Sequence, residues 1–118
     1  MKVRGLDAIY YVVKDIGVQQ KFYTMLLGAE PDMSSADRLA EWTFADGNSF
    51  GLYRTGDPPD QRSGSALFAV DDVAAAVADA KAGGATFYDD GAITDIPSCH
   101  MAFGEDPEGN QFILHKRK

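Results

Sequence analysis

The sequence contains one unit written twice, and this internal repeat limits the folds open to the chain more than any other feature. Val13-Lys14-Asp15-Ile16 recurs as Val70-Asp71-Asp72-Val73. Gly47-Asn48-Ser49-Phe50-Gly51-Leu52 recurs as Gly109-Asn110-Gln111-Phe112-Ile113-Leu114, and the two motifs come in the same order in both copies. A repeat of this kind indicates two copies of one supersecondary structure.

Each copy is predicted to begin with a strand that leads into a helix. Asp15 or Asp72 ends the strand and can cap the helix, because its carboxylate accepts from the unpaired N–H groups of the first turn. Apolar residues then recur with helical spacing until Gly28 or Gly83-Gly84 ends the helix. The predicted buried stripes are Val18, Phe22, Tyr23 and Leu26 in the first helix, and Val73, Val77 and Ala80 in the second.

Three short strands are predicted after each helix. They lie near 29–33, 39–45 and 49–54 in the first copy and near 86–90, 99–104 and 111–116 in the second. The turn sequences Asp46-Gly47-Asn48 and Asp106-Pro107-Glu108-Gly109-Asn110 join the last two strands of each copy. The sequence therefore predicts a single α+β domain, 1–118, of two βαβββ modules, about 5–54 and 65–116, with a linker at 55–64.

Composition excludes several functional classes. The 118 residues are 45% apolar, which is enough for one compact core. Lys and Arg total 11 against 18 Asp and Glu, and the net charge of −7 predicts no nucleic-acid or membrane partner. The chain has no long apolar run and no signal-peptide pattern at its start, so we expect a cytoplasmic protein. A single cysteine, Cys99, excludes an internal disulfide.

The motifs also resemble those of a known family. Val13-x-Asp15 precedes a helix that contains Phe22-Tyr23 and Leu27-Gly28, and Asp106-Pro107-Glu108-Gly109-Asn110 precedes the last strand. In these features the chain, from about residue 6 to 115, resembles the vicinal oxygen chelate superfamily of glyoxalases, bleomycin-resistance proteins and extradiol dioxygenases. The resemblance implies that the modules form a curved, half-barrel mixed sheet around a cavity, with the helices on the convex face. It also implies a homodimer.

Enzymes of this family bind a divalent metal through four strand residues, and the resemblance places those positions on this sequence. The two usual His positions fall on Ala8 and Ser65, and the two usual Glu positions fall on Gly51 and Ile113. Three of these residues have no side-chain donor, and a serine hydroxyl is a poor sole ligand for zinc or iron. We therefore expect no metal and no other cofactor.

The alternation of side chains along strands predicts which residues face the cavity. The predicted lining consists of Ala8, Tyr10, Val12, Ser49, Gly51, Tyr53, Leu67, Ala69, Gln111, Ile113 and His115. The opposite, helix-covered face consists of Ile9, Tyr11, Val13, Phe50, Leu52, Phe112 and Leu114. For Trp42 both cavity and core stay open, because its strand also carries Phe44. The predicted ligand contacts are Tyr10, Val12, Trp42, Tyr53, Leu67, Gln111, Ile113 and His115.

An apolar cavity with tyrosine, glutamine and histidine side chains is typical of a site for a small aromatic molecule. The sequence thus predicts a metal-independent protein that sequesters or carries an aromatic or cationic ligand. The alternative is a lyase, isomerase or dioxygenase relative with a displaced metal, or with acid–base chemistry by His115 together with Tyr53 or His100. A third interpretation is a structural or regulatory domain. Cys99 lacks a nucleophile motif and is expected to be a buried apolar residue.

Overall fold

Two compact units make up the chain, Met1–Asp60 and Gln61–Lys118, in a computed structural model that describes residues 1–56 and 62–118. The division between the units falls within the predicted linker, 55–64. Part of that linker, residues 57–61, lies outside the described residues. No helix in the described ranges is long and apolar enough to cross a membrane.

Unit 1 is a mixed sheet of four strands with a helix on one face. Its elements are β1 (Ala8–Val12), α1 (Ile16–Leu27), β2 (Met33–Ser35), β3 (Leu39–Thr43) and β4 (Ser49–Tyr53). The strand order is β1-β4-β3-β2, with β1 parallel to β4 and the other pairs antiparallel. As predicted, Asp15 caps α1, since its Oδ1 accepts from Val18 N, and Gly28 ends the helix with a φ of 71°.

Unit 2 has the same plan with one strand more. Its elements are β5 (Ala66–Ala69), α2 (Val73–Ala82), β6 (Thr86–Phe87), β7 (Thr94–Ile96), β8 (Cys99–Glu105) and β9 (Gln111–Arg117). The order is β5-β9-β8-β6, β5 runs parallel to β9, and β7 pairs with the first part of β8. Asp72 caps α2 by accepting from Ala75 N, as predicted.

Two predicted strands differ from the observed ones for local reasons. β2 begins at Met33 rather than near 29, because Pro31 has no N–H to donate and the carbonyl of Ala29 accepts from the Trp42 indole instead. The predicted strand at 86–90 ends at Phe87, because Tyr88–Gly91 forms a tight turn with Asp89 and Asp90 at φ values of 52° and 53°. That turn redirects the chain into β7, which the sequence analysis did not predict.

The core of unit 1 is aromatic. Tyr23 of α1 packs against Tyr11 and Phe50, with ring centroids 6.2 and 4.8 Å apart. The predicted helical stripe is wrong in part: Ile16, Gln19 and Tyr23 form the buried face, whereas Val18 is 49% exposed. The sheet residues predicted to lie under the helix are buried, namely Tyr11, Val13, Phe50 and Leu52, but Ile9 at the start of β1 is exposed.

The core of unit 2 follows the predicted pattern more closely. Val73, Val77 and Ala80 are the buried residues of α2. Phe112 is fully buried, and its ring centroid lies 5.6 Å from that of Phe87. The α+β class is thus confirmed, with two mixed sheets, neither of which closes into a barrel within the described residues.

Candidate functional site

The candidate site is built on the far face of unit 1, which we define as the sheet face turned away from α1. Tyr10, Glu41, Gly51 and Tyr53 lie on this face, because they alternate along their strands with the buried residues under the helix. In register, Gly51 on the middle strand pairs with Tyr10 on one side and with Glu41 on the other. Three neighbouring strands therefore present one row of side chains.

Gly51 makes room for the ring of Tyr10. A Cβ added at Gly51 would lie 2.6 Å from both Cε2 and Cζ of Tyr10, far closer than van der Waals contact. The ring thus lies over the glycine backbone and crosses the middle strand. Any larger residue at this position would displace the ring.

The ring position allows Tyr10 to reach a carboxylate two strands away. Its Oη donates to Glu41 Oε1 at 2.6 Å, a short, charge-assisted hydrogen bond in a partly buried setting. Burial in the first place, together with the hydrogen bond to Glu41 and the charge of Glu41, raises the pKa of Tyr10 to about 12. Tyr10 therefore stays a neutral donor, and the carboxylate stays beside it.

Tyr53 completes the group. Its ring centroid lies 6.0 Å from that of Tyr10 at an interplanar angle of 63°, an edge-to-face contact, and 37% of the residue is exposed. Two aromatic rings and a carboxylate on one surface can bind the ring of a planar ligand and the positive charge of a cationic one. Val12, which pairs in register with Tyr53, adds a half-buried apolar side chain.

Sequence reasoning missed Glu41 and left Trp42 undecided, and one signal decides both. Trp42 pairs in register with Phe50, whose place on the helix-covered face the sequence did predict. The indole is 2% exposed, lies 6.3 Å from Tyr23 between ring centroids, and donates from Nε1 to the carbonyl of Ala29 at 2.8 Å. Trp42 is therefore a core residue, not a ligand contact, and its neighbour Glu41 takes the far face instead.

The far face of unit 2, again the sheet face turned away from its helix, is chemically different. The register equivalents of Tyr10, Gly51 and Glu41 are Leu67, Ile113 and Phe103. Leu67 is 54% exposed, while Ile113 lies between it and Phe103 and is buried. His115 is half-buried on the same face and pairs in register with Ala69 and Met101.

The two histidines do not come together. His115 pairs with Met101, whereas His100 pairs with Lys116, so their side chains project from opposite faces of the same sheet. His100 lines a cleft of about 610 Å³ next to the start of α2, where its Nε2 lies 3.3 Å from Asp95 Oδ1. An acid–base or metal site that combines His100 with His115 is therefore ruled out by the register.

Cys99 is buried within β8 and behaves as the expected small apolar residue. The pKa of Asp95, the partner of His100, is lowered by a hydrogen bond from Lys118 in the first place and by the charges of Lys118 and His100. These contacts form a surface ion-pair network rather than a reactive site.

The residues at the four expected metal positions do not fit a divalent metal. Ala8 and Ile113 carry no donor atom, and the space above Gly51 is filled by the Tyr10 ring. Ser65 Oγ donates a hydrogen bond to Gln111 Oε1. Across residues 1–56 and 62–118, no three His, Cys, Asp or Glu side chains lie close enough together to hold a metal ion.

Comparison with known proteins gives a likeness in structure only. The sequence matches no protein-family model and no curated protein. A lactoylglutathione lyase from Agrobacterium tumefaciens superposes with a TM-score of 0.80 at 14% identity, over 98% of this chain and 95% of its own. A glyoxalase/bleomycin resistance protein from Albidiferax ferrireducens T118 gives 0.78 at 21% identity, over 96% and 98%.

A second glyoxalase/bleomycin resistance protein, from Catenulispora Acidiphila DSM 44928, gives a TM-score of 0.74 at 20% identity, over 95% of this chain and 98% of its own. These identities are too low to transfer a function, because proteins that share such a fold differ in their sites. The structural matches extend over nearly the full length of each chain. The chain therefore has the fold of the glyoxalase and bleomycin-resistance proteins, which is the fold that the sequence resemblance implied.

Proposed function

We propose that this chain is a metal-independent small-molecule-binding protein that takes an aromatic, cationic ligand on the far face of unit 1. The observation that carries the proposal is the Tyr10 ring over Gly51, hydrogen-bonded to Glu41. At Gly51, one of the four positions where the family resemblance implies a metal ligand, this chain has an aromatic surface next to a carboxylate. Such a surface suits a ligand that combines a ring with a positive charge.

Electrostatics supports a cation over an anion. Glu41 Oε1 accepts the hydrogen bond that Tyr10 Oη donates. The second oxygen of the carboxylate can accept from an ammonium or guanidinium group. The Tyr10 hydroxyl is neutral at neutral pH, and its raised pKa keeps it neutral into the alkaline range, so no second negative charge develops beside Glu41. The net charge of −7 adds a field that attracts cations to the whole chain.

The predicted contacts in unit 2, namely Leu67, Gln111, Ile113 and His115, remain predictions. Of these residues, Leu67 and Ile113 are apolar. Within residues 1–56 and 62–118, no side-chain hydrogen bond of His115 favours the acid–base alternative over binding.

Titration with benzyltrimethylammonium, an aromatic cation, tests the proposal by calorimetry. We expect saturable binding that weakens at least about tenfold in Glu41→Gln, since the charge attraction between the carboxylate and the quaternary ammonium is lost. Tyr53→Leu should also weaken binding because a ring is lost, whereas Glu30→Gln, an exposed glutamate of the same unit, should have no effect. Equal affinity in Glu41→Gln and the unmodified protein, or binding that requires added zinc, would show the proposal to be wrong.

A further inference from the structure

Unit 2 contains a cleft lined by residues other than Tyr10, Glu41 and Tyr53, the residues that carry the proposed function. Its volume is about 470 Å³, within the range of sites that bind small molecules. The residues that matter for its chemistry are Arg62, Tyr88, Asp89, Ile93, Phe103 and Gln111. Of these, only Gln111 was predicted from the sequence to contact a ligand.

A chain of hydrogen bonds orients the single positive charge among these side chains. Arg62 Nη1 donates to Tyr88 Oη at 3.2 Å, and Tyr88 Oη donates to Glu105 Oε2 at 3.1 Å. Arg62 Nη1 also lies 3.5 Å from the carbonyl oxygen of Gly109. Within the described residues these contacts use one terminal nitrogen, so they orient the exposed guanidinium and leave its other N–H groups to bind a planar anion.

Apolar side chains share the lining of the cleft with Arg62. Ile93 is 43% exposed, and the Phe103 ring is half-buried on the same lining. An oriented guanidinium next to an aromatic ring and an aliphatic side chain matches a ligand that has a carboxylate at one end and a flat apolar body at the other.

The wall of the cleft is a strained turn. Asp89, Asp90 and Gly91 are consecutive residues in the left-handed region, with φ values of 52°, 53° and 82°. Two non-glycine residues in that region are unfavourable, and such strain is found preferentially at functional sites. Lys81 of α2 holds the turn by donating to the Asp90 carbonyl at 2.8 Å and pairing with its carboxylate at 2.8 Å.

A further contact leaves this turn little freedom. A Cβ at Gly91 would lie 2.7 Å from Val77 Cγ1, so the turn is pressed directly against the helix. The neighbouring Tyr88 and Ile93 are therefore held in a defined position on the cleft lining, which is what a preformed site requires.

We propose that this cleft is a second ligand site, specific for a flat organic monoanion of the aromatic carboxylate class. Arg62 pairs with the carboxylate, and Phe103 and Ile93 cover the ring. Asp89, on the same lining, repels a second negative charge, so a monocarboxylate is preferred over a dicarboxylate. The site goes beyond the proposed function, since it lies wholly in unit 2 and selects the opposite charge.

Benzoate, phthalate, benzyl alcohol and benzylamine are the probes that test this proposal, by amide-resolved NMR titration of the full chain. We expect benzoate to shift the amide signals of residues 92–94 and 111, and to bind at least about tenfold tighter than the other three probes. In Arg62→Gln the benzoate affinity should fall at least about tenfold, and in Tyr88→Phe about threefold, because the guanidinium loses its orienting hydroxyl. Arg54→Gln, an exposed arginine of unit 1, is the matched control and should bind benzoate as the unmodified protein does.

Benzoate affinity that is unchanged in Arg62→Gln would overturn the proposal, as would tighter binding of benzylamine in this cleft. The two proposed sites can be tested separately, because each has its own probe and its own variant. Glu41→Gln should weaken cation binding on unit 1 at least about tenfold and leave the benzoate shifts in place, and Arg62→Gln should weaken benzoate binding and leave cation binding unchanged. A loss of both in either variant, with an unchanged amide spectrum elsewhere, would show that two independent sites do not exist.

Discussion

The position of the Tyr10 ring depends on the absence of a side chain at one residue of the neighbouring strand. Gly51 leaves the space that the ring occupies, and the ring position brings Tyr10 Oη to Glu41. Phe112 similarly lies over Gly104, its register partner, on the helix-covered face of unit 2. The two glycines thus serve different ends: one lets an aromatic ring pack in a core, and the other lets a ring carry a hydroxyl to a carboxylate.

Gly51→Ala is predicted to uncouple Tyr10 from Glu41. The new methyl group forces the ring aside, which costs about 1–3 kcal/mol, while the loss of glycine flexibility returns about 0.5–1 kcal/mol. We expect a net destabilisation of about 1 kcal/mol in urea unfolding. The raised pKa of Tyr10 should also fall, so that tyrosinate absorbance appears at lower pH, because burial and the contact with Glu41 are both reduced.

Gly56→Ala is the control, since a Cβ there meets nothing within 4 Å. An unchanged titration in Gly51→Ala would contradict this account.

At the same scale, the sequence predicted some site residues and could not predict others. Tyr10 and Tyr53 share the face assigned to them, because their strands alternate clearly. Glu41 could not be assigned, since Leu39, Ala40 and Trp42 place apolar residues on both faces of β3. The register of the β3–β4 hairpin, which pairs Trp42 with Phe50, decides the orientation.

Among the elements, the two helices show how closely the copies of the repeat agree. Asp15 and Asp72 have extended backbone conformations and accept from the N–H group three residues later, at 3.1 and 3.0 Å. Local chemistry of this kind is visible in sequence because a cap depends on neighbours along the chain. The strained turn before β7 is not visible, because Lys81 and Val77 impose it through tertiary contacts.

Removing the cap of either helix should therefore lower the free energy of unfolding by a similar amount. Asp15→Ala and Asp72→Ala are each expected to lower the free energy of unfolding by about 0.5–2 kcal/mol, because one helix N–H group loses its acceptor. Asp79→Ala, an exposed aspartate within α2, should change it by less than about 0.5 kcal/mol. Urea unfolding followed by circular dichroism measures all three. A cap variant as stable as Asp79→Ala would mean that the observed hydrogen bond does not stabilise its helix.

For the whole molecule, the repeat and the family resemblance predicted the α+β class and the plan of each unit. The fold agrees with solved structures that are only 14% to 21% identical, because the pattern of apolar residues and turns fixes it rather than particular side chains. The site does not follow from the fold, since the metal positions hold Ala8, Gly51, Ser65 and Ile113. The homodimer remains a prediction.

The net charge of −7 leads to a prediction that belongs to the whole chain rather than to Glu41. The field of all the charges attracts a cation over about 30 Å at 10 mM salt but over only about 3 Å at 1 M. Benzyltrimethylammonium binding is therefore expected to weaken several-fold across this range, whereas binding of neutral benzyl alcohol should not weaken. In Glu41→Gln the affinity is lower at every salt concentration, but the relative loss with salt should persist, because most of the charge is still present. Salt dependence that disappears in Glu41→Gln would show that one carboxylate, and not the acidic molecule, attracts the ligand.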